Sequence, residues 1–208
     1  MSPRFHRRRS VAGSVRRIAA LEIGRALDAI RDDGLDEAEV IHVVRQQLKR
    51  LRGLIRLVRP HFPDYGAENV FFRDLGRRLA PSRDADVLGE TFGTLTARAG
   101  LHLPEARARL AGEGSQPESR LPLLRGEIAS ALEEARARAQ RWRLTGEGFS
   151  LIAPGLRRVY RKVRRAGELA SAHPTPLHFH EWRKQTKYHA SHLALIGHIA
   201  PKIFRSYR

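Results

Sequence analysis

His42, Arg45, Lys49, Arg52 and Arg56 recur at steps of three and four residues, beginning in the stretch His42-Val-Val-Arg45-Gln-Gln-Leu-Lys49-Arg50-Leu-Arg52. Guanidinium forks grip phosphate or carboxylate oxygens two at a time, ammonium groups act as mobile point charges, and imidazole donates from its ring nitrogens. The chemistry these side chains share is the capture of an anion that carries many oxygens. At about 100° per residue, all five stay within a helical stripe about 80° wide. Val40, Val44, Leu48, Leu51, Ile55 and Val58 gather on the opposite side, so the helix is amphipathic with an almost purely cationic polar face. Between Val40 and Pro60 there is no acidic residue. Like charges one turn apart repel by about 0.2–0.5 kcal/mol per pair, and a polyanion is the simplest agent to relieve that repulsion.

The pattern returns in His180-Glu-Trp-Arg183-Lys184-Gln-Thr-Lys187, where H-x2-R-x3-K matches His42, Arg45 and Lys49 at an offset of 138 residues. We read the pair as an internal repeat. A third basic stripe comprises Arg157, Arg161 and Arg164, opposed by Leu156, Val159 and Val163. Facing one another across a groove, the three stripes would present a dense array of donors. The plain alternative is three solvated faces on a protein kept soluble by its charge.

Composition agrees with an anionic partner. The 208 residues carry 39 Lys+Arg against 22 Asp+Glu, a formal net charge of +17. That balance selects nucleic acid, membrane lipid or an inorganic polyanion. Two fifths of the residues are hydrophobic, enough for a packed core. The absence of cysteine excludes disulfides and thiol chemistry. No apolar run approaches the roughly 20 residues of a membrane span, and Arg16, Arg17 and Glu22 break up the segment where a secretory leader would sit. A cytoplasmic protein is expected, with no membrane partner.

The elements that must hold these stripes are all helical, for no strand-like alternation persists. Residues 1–13 read as a loose basic arm. Ser14 is placed to cap a helix to about Arg31, with Val15, Ile18, Ala19, Leu21 and Ile23 mostly inward and Arg16 and Arg17 near its start. Asp36 caps the His42 helix, which Pro60 stops. A third helix from about Ala67 to Leu79 carries Val70, Phe71, Leu75 and Leu79. A fourth spans about 82–99. The glycine-rich stretch over 100–118 divides a first bundle (14–99) from a second (119–208). The second contains helices over Arg120–Leu144, Pro154–Ser171 and Pro176–Ile199. The expected architecture is two antiparallel helical bundles, the second lacking its last helix. The apolar surface so left open would suit a homodimer.

Other chemistries find less support. His178, His180, His189 and His192 lack the common face and carboxylate partners that a metal site needs. Asp84 and Asp86 point apart at i and i+2 on a helix, which suits a cap or a salt-bridge anchor with Arg83 better than a catalytic pair. There is no phosphate-cradling glycine loop and no Ser/His/Asp arrangement. No catalytic residue, metal or cofactor is expected.

Taken together, His42-x2-Arg45-x3-Lys49-Arg50-x-Arg52, Leu79-Ala-Pro-Ser-Arg83-Asp84-Ala-Asp86-Val-Leu88 and His180-Glu-Trp-Arg183-Lys184-x2-Lys187-Tyr188 resemble the CHAD family of histidine-bearing α-helical domains. Arg157-Arg158-x-Tyr160-Arg161 resembles the segment before the family's last histidine-bearing helix. The resemblance covers residues 11–199. It implies two four-helix bundles related by a repeat and a basic channel that binds inorganic polyphosphate without catalysis. By position it assigns polyphosphate binding to His42, Arg45, Lys49, Arg52, His180, Arg183, Lys184 and Lys187, followed by Arg16, Arg17, Arg56, Arg157 and Arg161. The chain departs from the family in ending before a second acidic motif. It also lacks the Glu-x-Glu-x-Lys of the hydrolase domain often fused to family members. Two rival readings remain. One is nucleic-acid binding through the same basic surface, which the scarcity of aromatics within the stripes disfavours. The other is a metal-dependent phosphohydrolase using Asp84 and Asp86.

Overall fold

Six α-helices make up the described part of the chain: α1 (Val11–Arg31), α2 (Glu37–Leu57), α3 (Tyr65–Arg78), α4 (Leu121–Gln140), α5 (Ala153–Ala172) and α6 (Pro176–Ile196). The computed structural model describes residues 3–6, 8–79, 96, 98, 100, 101 and 121–197. Among these there are two short 3₁₀ turns, at Arg59–His61 and Gly148–Leu151, and no strand, so the fold is all-α. The expected fourth helix lies almost wholly outside the described residues, and Arg83, Asp84 and Asp86 do so entirely.

Local chemistry explains where each helix starts and stops. The cap of α1 is Ser10 rather than Ser14: the Ser10 Oγ accepts from the Gly13 N–H at 3.1 Å. Ser10 offers the same capping oxygen one turn earlier, and Ser14 is buried inside the helix. Asp36 caps α2 as expected, accepting from the Glu39 N–H at 2.7 Å. That helix closes at Leu57, and Pro60 falls in the 3₁₀ turn that follows. Helix α4 ends at Gln140, short of Leu144, because Trp142 turns into the core and its Nε1 donates to Glu68 Oε1 at 3.2 Å. The Thr145 N–H then donates to the His61 carbonyl at 2.9 Å. Gly146 carries the chain onward at φ 115°, a conformation side-chain-bearing residues rarely adopt.

The main core forms where α1, α2, α3 and α4 meet. Val15, Ile18, Ala19, Ile23 and Ile30 of α1 are buried against Val40, Val44, Leu48, Leu51 and Ile55 of α2. Fully burying each such aliphatic side chain is worth about 1.5–3 kcal/mol. Helix α3 closes on α2 through Phe72 and Leu75, while Leu21, expected to face mostly inward, lies on an exposed flank, as does Val70. Helix α4 falls within the expected second half, yet it packs along α1 and adds Ile128, Leu132, Ala135 and Ala139 to this same core. The buried carboxylate of Glu68 ties its C-terminal end to α3, accepting from Arg138 Nε at 2.9 Å and from Trp142.

Helices α5 and α6 form an antiparallel hairpin, with the Tyr160 and His189 rings 5.6 Å apart and Gly167 against Trp182. The hairpin packs against α2. At Gly155 a Cβ would sit 1.8 Å from the Leu57 carbonyl oxygen, so only glycine permits this approach. Nearby, His192 Nε2 donates to the Gly53 carbonyl at 2.9 Å. Leu169, Leu177, Phe179 and Trp182 on the hairpin stay exposed. Among the described residues of the N-terminal arm, Phe5 is anchored. Phe5 is 1% exposed and its N–H donates to the Leu195 carbonyl of α6, so the burial of one aromatic ring pins the segment.

Candidate anion-binding cleft

Helix α2 exposes its basic stripe on the side that faces α3, and the two helices enclose a cleft of about 310 Å³. Its lining includes Arg45, Lys49 and Arg52 from α2, Arg73 and Arg77 from α3, and a floor of Leu48, Phe72 and Gly76. The apolar floor follows from the helix period, since Leu48 and Phe72 mark where the core face of each helix meets its polar face. The half-buried Arg45 donates to the Leu79 carbonyl at 3.2 Å, and Arg52 Nε donates to Asn69 Oδ1 at 3.1 Å. Both guanidiniums are thereby aimed while further N–H donors remain.

Electrostatics in the cleft are one-sided. Burial, and then the neighbouring Arg56 cation, push Arg52 below the usual arginine value. A group so shifted gains free energy from any anion that arrives. Asp74 forms a two-bond pair with Arg73 at 2.8 and 3.0 Å and sits 3.5 Å from Arg77. The Arg73 hydrogen bonds hold Asp74 below the usual carboxylate range. Asp74 is bonded to Arg73 and close to Arg77, so it orders one wall of the cleft more than it neutralises the five lining cations.

The proposed ligand residues are only partly brought together. Arg45, Lys49 and Arg52 line the cleft. Exposed His42 lies one turn before Arg45 on the same helix. Arg56 points along the stripe toward α6, its guanidinium 4.3 Å from the centre of the Tyr188 ring. His180, Arg183, Lys184 and Lys187 are exposed on α6 but do not line the cleft. His180 lies eight residues from Tyr188, or about 12 Å along the helix. Lys184 pairs with Glu181, whose carboxyl is held low by that contact. Arg157 and Arg161 are exposed on α5. Arg16 donates to the Trp142 carbonyl at 3.0 Å and Arg17 to the Arg4 carbonyl at 2.6 Å, so both serve the α1 surroundings.

Arg73 and Arg77 escaped the sequence reading. Their spacing of four residues on a helix antiparallel to α2 was the available signal. His189 and His192 prove to be packing residues. Burial lowers both, His192 to about 4, and the Gly53 carbonyl fixes the His192 proton on Nε2. Among the described residues no group of three or more His, Cys, Asp or Glu is placed to hold a metal ion, and no helix is long and apolar enough to cross a membrane.

The family model for the CHAD domain matches residues 18–208. The chain therefore belongs to the CHAD family, whose domains in general bind inorganic polyphosphate without catalysing its turnover. Neither a curated protein nor a solved structure matches it.

Proposed function

We propose that this CHAD domain binds inorganic polyphosphate, with the α2–α3 cleft as its principal grip and no catalytic step of its own. The observation that carries this reading is the convergence of Arg45, Lys49, Arg52, Arg73 and Arg77 on one cleft, with Arg52 pushed down by burial and by Arg56. A linear chain of phosphates offers each guanidinium a pair of oxygens and replaces cation–cation repulsion with attraction. From the cleft, Arg56 and Tyr188 lead toward the α6 cations His180, Arg183, Lys184 and Lys187, which would engage a longer chain. The two histidine-bearing helices support the repeat in a further way. Each is the second arm of a helical hairpin, and each is capped by a side-chain oxygen accepting from the N–H three residues on, Asp36 in α2 and Thr175 in α6. Arg83, Asp84 and Asp86 would act as a salt-bridge anchor, and the protein would reside in the cytoplasm, associated with polyphosphate granules.

The test is a polyphosphate titration at two salt concentrations, followed by competition with duplex and single-stranded DNA. Each phosphate neutralised by Lys or Arg releases counterions, so the association constant should fall steeply with salt. At equal phosphate concentration DNA should compete poorly, because the stripes offer few rings for base stacking. Displacement of polyphosphate by DNA at equal phosphate would reject the assignment.

A further inference from the structure

We propose that His6, Arg8, Arg9 and Arg17 form a second anion site, separate from the α2–α3 cleft, that takes a compact inorganic oligophosphate. These four residues line a hollow of about 750 Å³, and none of its described lining residues is acidic. Described residues of the arm that carries three of them are held to the fold. Phe5 is buried against the core and hydrogen-bonded to Leu195, and the Arg9 N–H closes a turn on the His6 carbonyl at 3.1 Å. Arg17 is held from below through its bond to the Arg4 carbonyl. Its Nε is shielded from solvent and has no hydrogen-bond partner.

The hollow and the cleft share none of their described lining residues. The adjoining Arg4 shares a smaller cavity with Arg50 and Leu54 of α2. Arg50 projects at least about 100° around that helix from Arg45, Lys49 and Arg52. The chemistry selects a dense phosphate anion over a nucleic acid. Three guanidiniums and an imidazole converge on one concave volume, and the arm's aromatic ring, Phe5, is committed to the core and unavailable for stacking on a base.

Calorimetric titration of the full chain with tripolyphosphate tests the assignment. Lys49→Gln/Arg77→Gln disables the cleft, and in that background one binding event should remain. Adding Arg8→Gln/Arg9→Gln, both exposed positions, should weaken it at least tenfold, whereas Arg17 is left intact because it anchors the arm. The site is overturned if no event remains in the cleft-disabled protein, or if the remaining event ignores the Arg8/Arg9 changes. It is also overturned if a short oligothymidylate binds there more tightly than tripolyphosphate. Failure of the cleft changes alone would discredit the cleft and leave the arm to be read from Arg8→Gln/Arg9→Gln in an otherwise unaltered chain.

Discussion

The guanidinium of Arg56 lies over the ring of Tyr188, 4.3 Å from its centre, and this contact joins the two histidine-bearing helices. One helix turn further along α6, His192 reaches the Gly53 carbonyl of α2. The two contacts run in opposite chain directions, so α6 crosses α2 antiparallel and its N-terminal cations extend past the end of α2. A cation over an aromatic face contributes about 0.5–1 kcal/mol when exposed and about 2 when desolvated. Tyr188→Leu should therefore lower the unfolding free energy by about 1 kcal/mol in urea, with an unchanged denaturant slope. No loss would mean the ring does not join the halves.

His192 makes stability depend on pH. Its folded value of about 4 lies below the ordinary 6.5, because burial disfavours the imidazolium. The unfolded chain takes up the proton first, so the stabilisation from neutral His192 is present above pH 6.5 and is lost as pH falls toward 4. The full window corresponds to about 3 kcal/mol at 1.36 kcal/mol per unit. Glu22 opposes this trend, since burial outweighs Arg50 and Arg25 and raises its carboxyl. The readout is therefore the difference between wild type and His192→Gln in urea midpoints from pH 7 to 4. That difference should shrink as pH falls, and a constant gap would contradict the assignment.

Two glycines should respond oppositely to alanine. Gly126, inside α4, has open space where a Cβ would go, and Gly126→Ala should stabilise by up to about 1 kcal/mol. At Gly155 the added methyl would strike the Leu57 carbonyl. Gly155→Ala should cost about 1–3 kcal/mol, the usual range for overpacking. Thermal melts of the two variants decide the matter, and a stabilised Gly155→Ala would show that α5 does not seat against α2.

The helices were legible in the sequence because their signals are local. Asp36 had to precede the periodic run that became α2, and Pro60 had to follow it. What escaped depended on partners distant in sequence. Trp142 ended α4 early because of Glu68, 74 residues away. Phe5 looked like part of a solvated arm until Leu195 received its N–H. The stripe His42 to Arg56 could be read as a site because one helix carries it. Arg73 and Arg77 could not, because their membership depends on how α3 lies against α2. The α6 cations were read as facing that stripe, and only the crossing at Tyr188 shows that they continue past it.

Arg52 offers a test of the cleft's electrostatics. Relieving its repulsion should itself stabilise the fold when a polyanion is present. Tripolyphosphate should raise the melting temperature, by an increment that falls with added salt as screening weakens the attraction. The increment should be smaller in Arg52→Gln than in wild type, and an equal increment in both would place the effect elsewhere.

The most direct measurement is polyphosphate affinity of wild type against Lys49→Gln/Arg77→Gln, which removes one cation from each wall of the cleft. The cleft account expects affinity to fall at least tenfold, about 1.4 kcal/mol, with a shallower salt dependence. Unchanged affinity and an unchanged salt slope would contradict it.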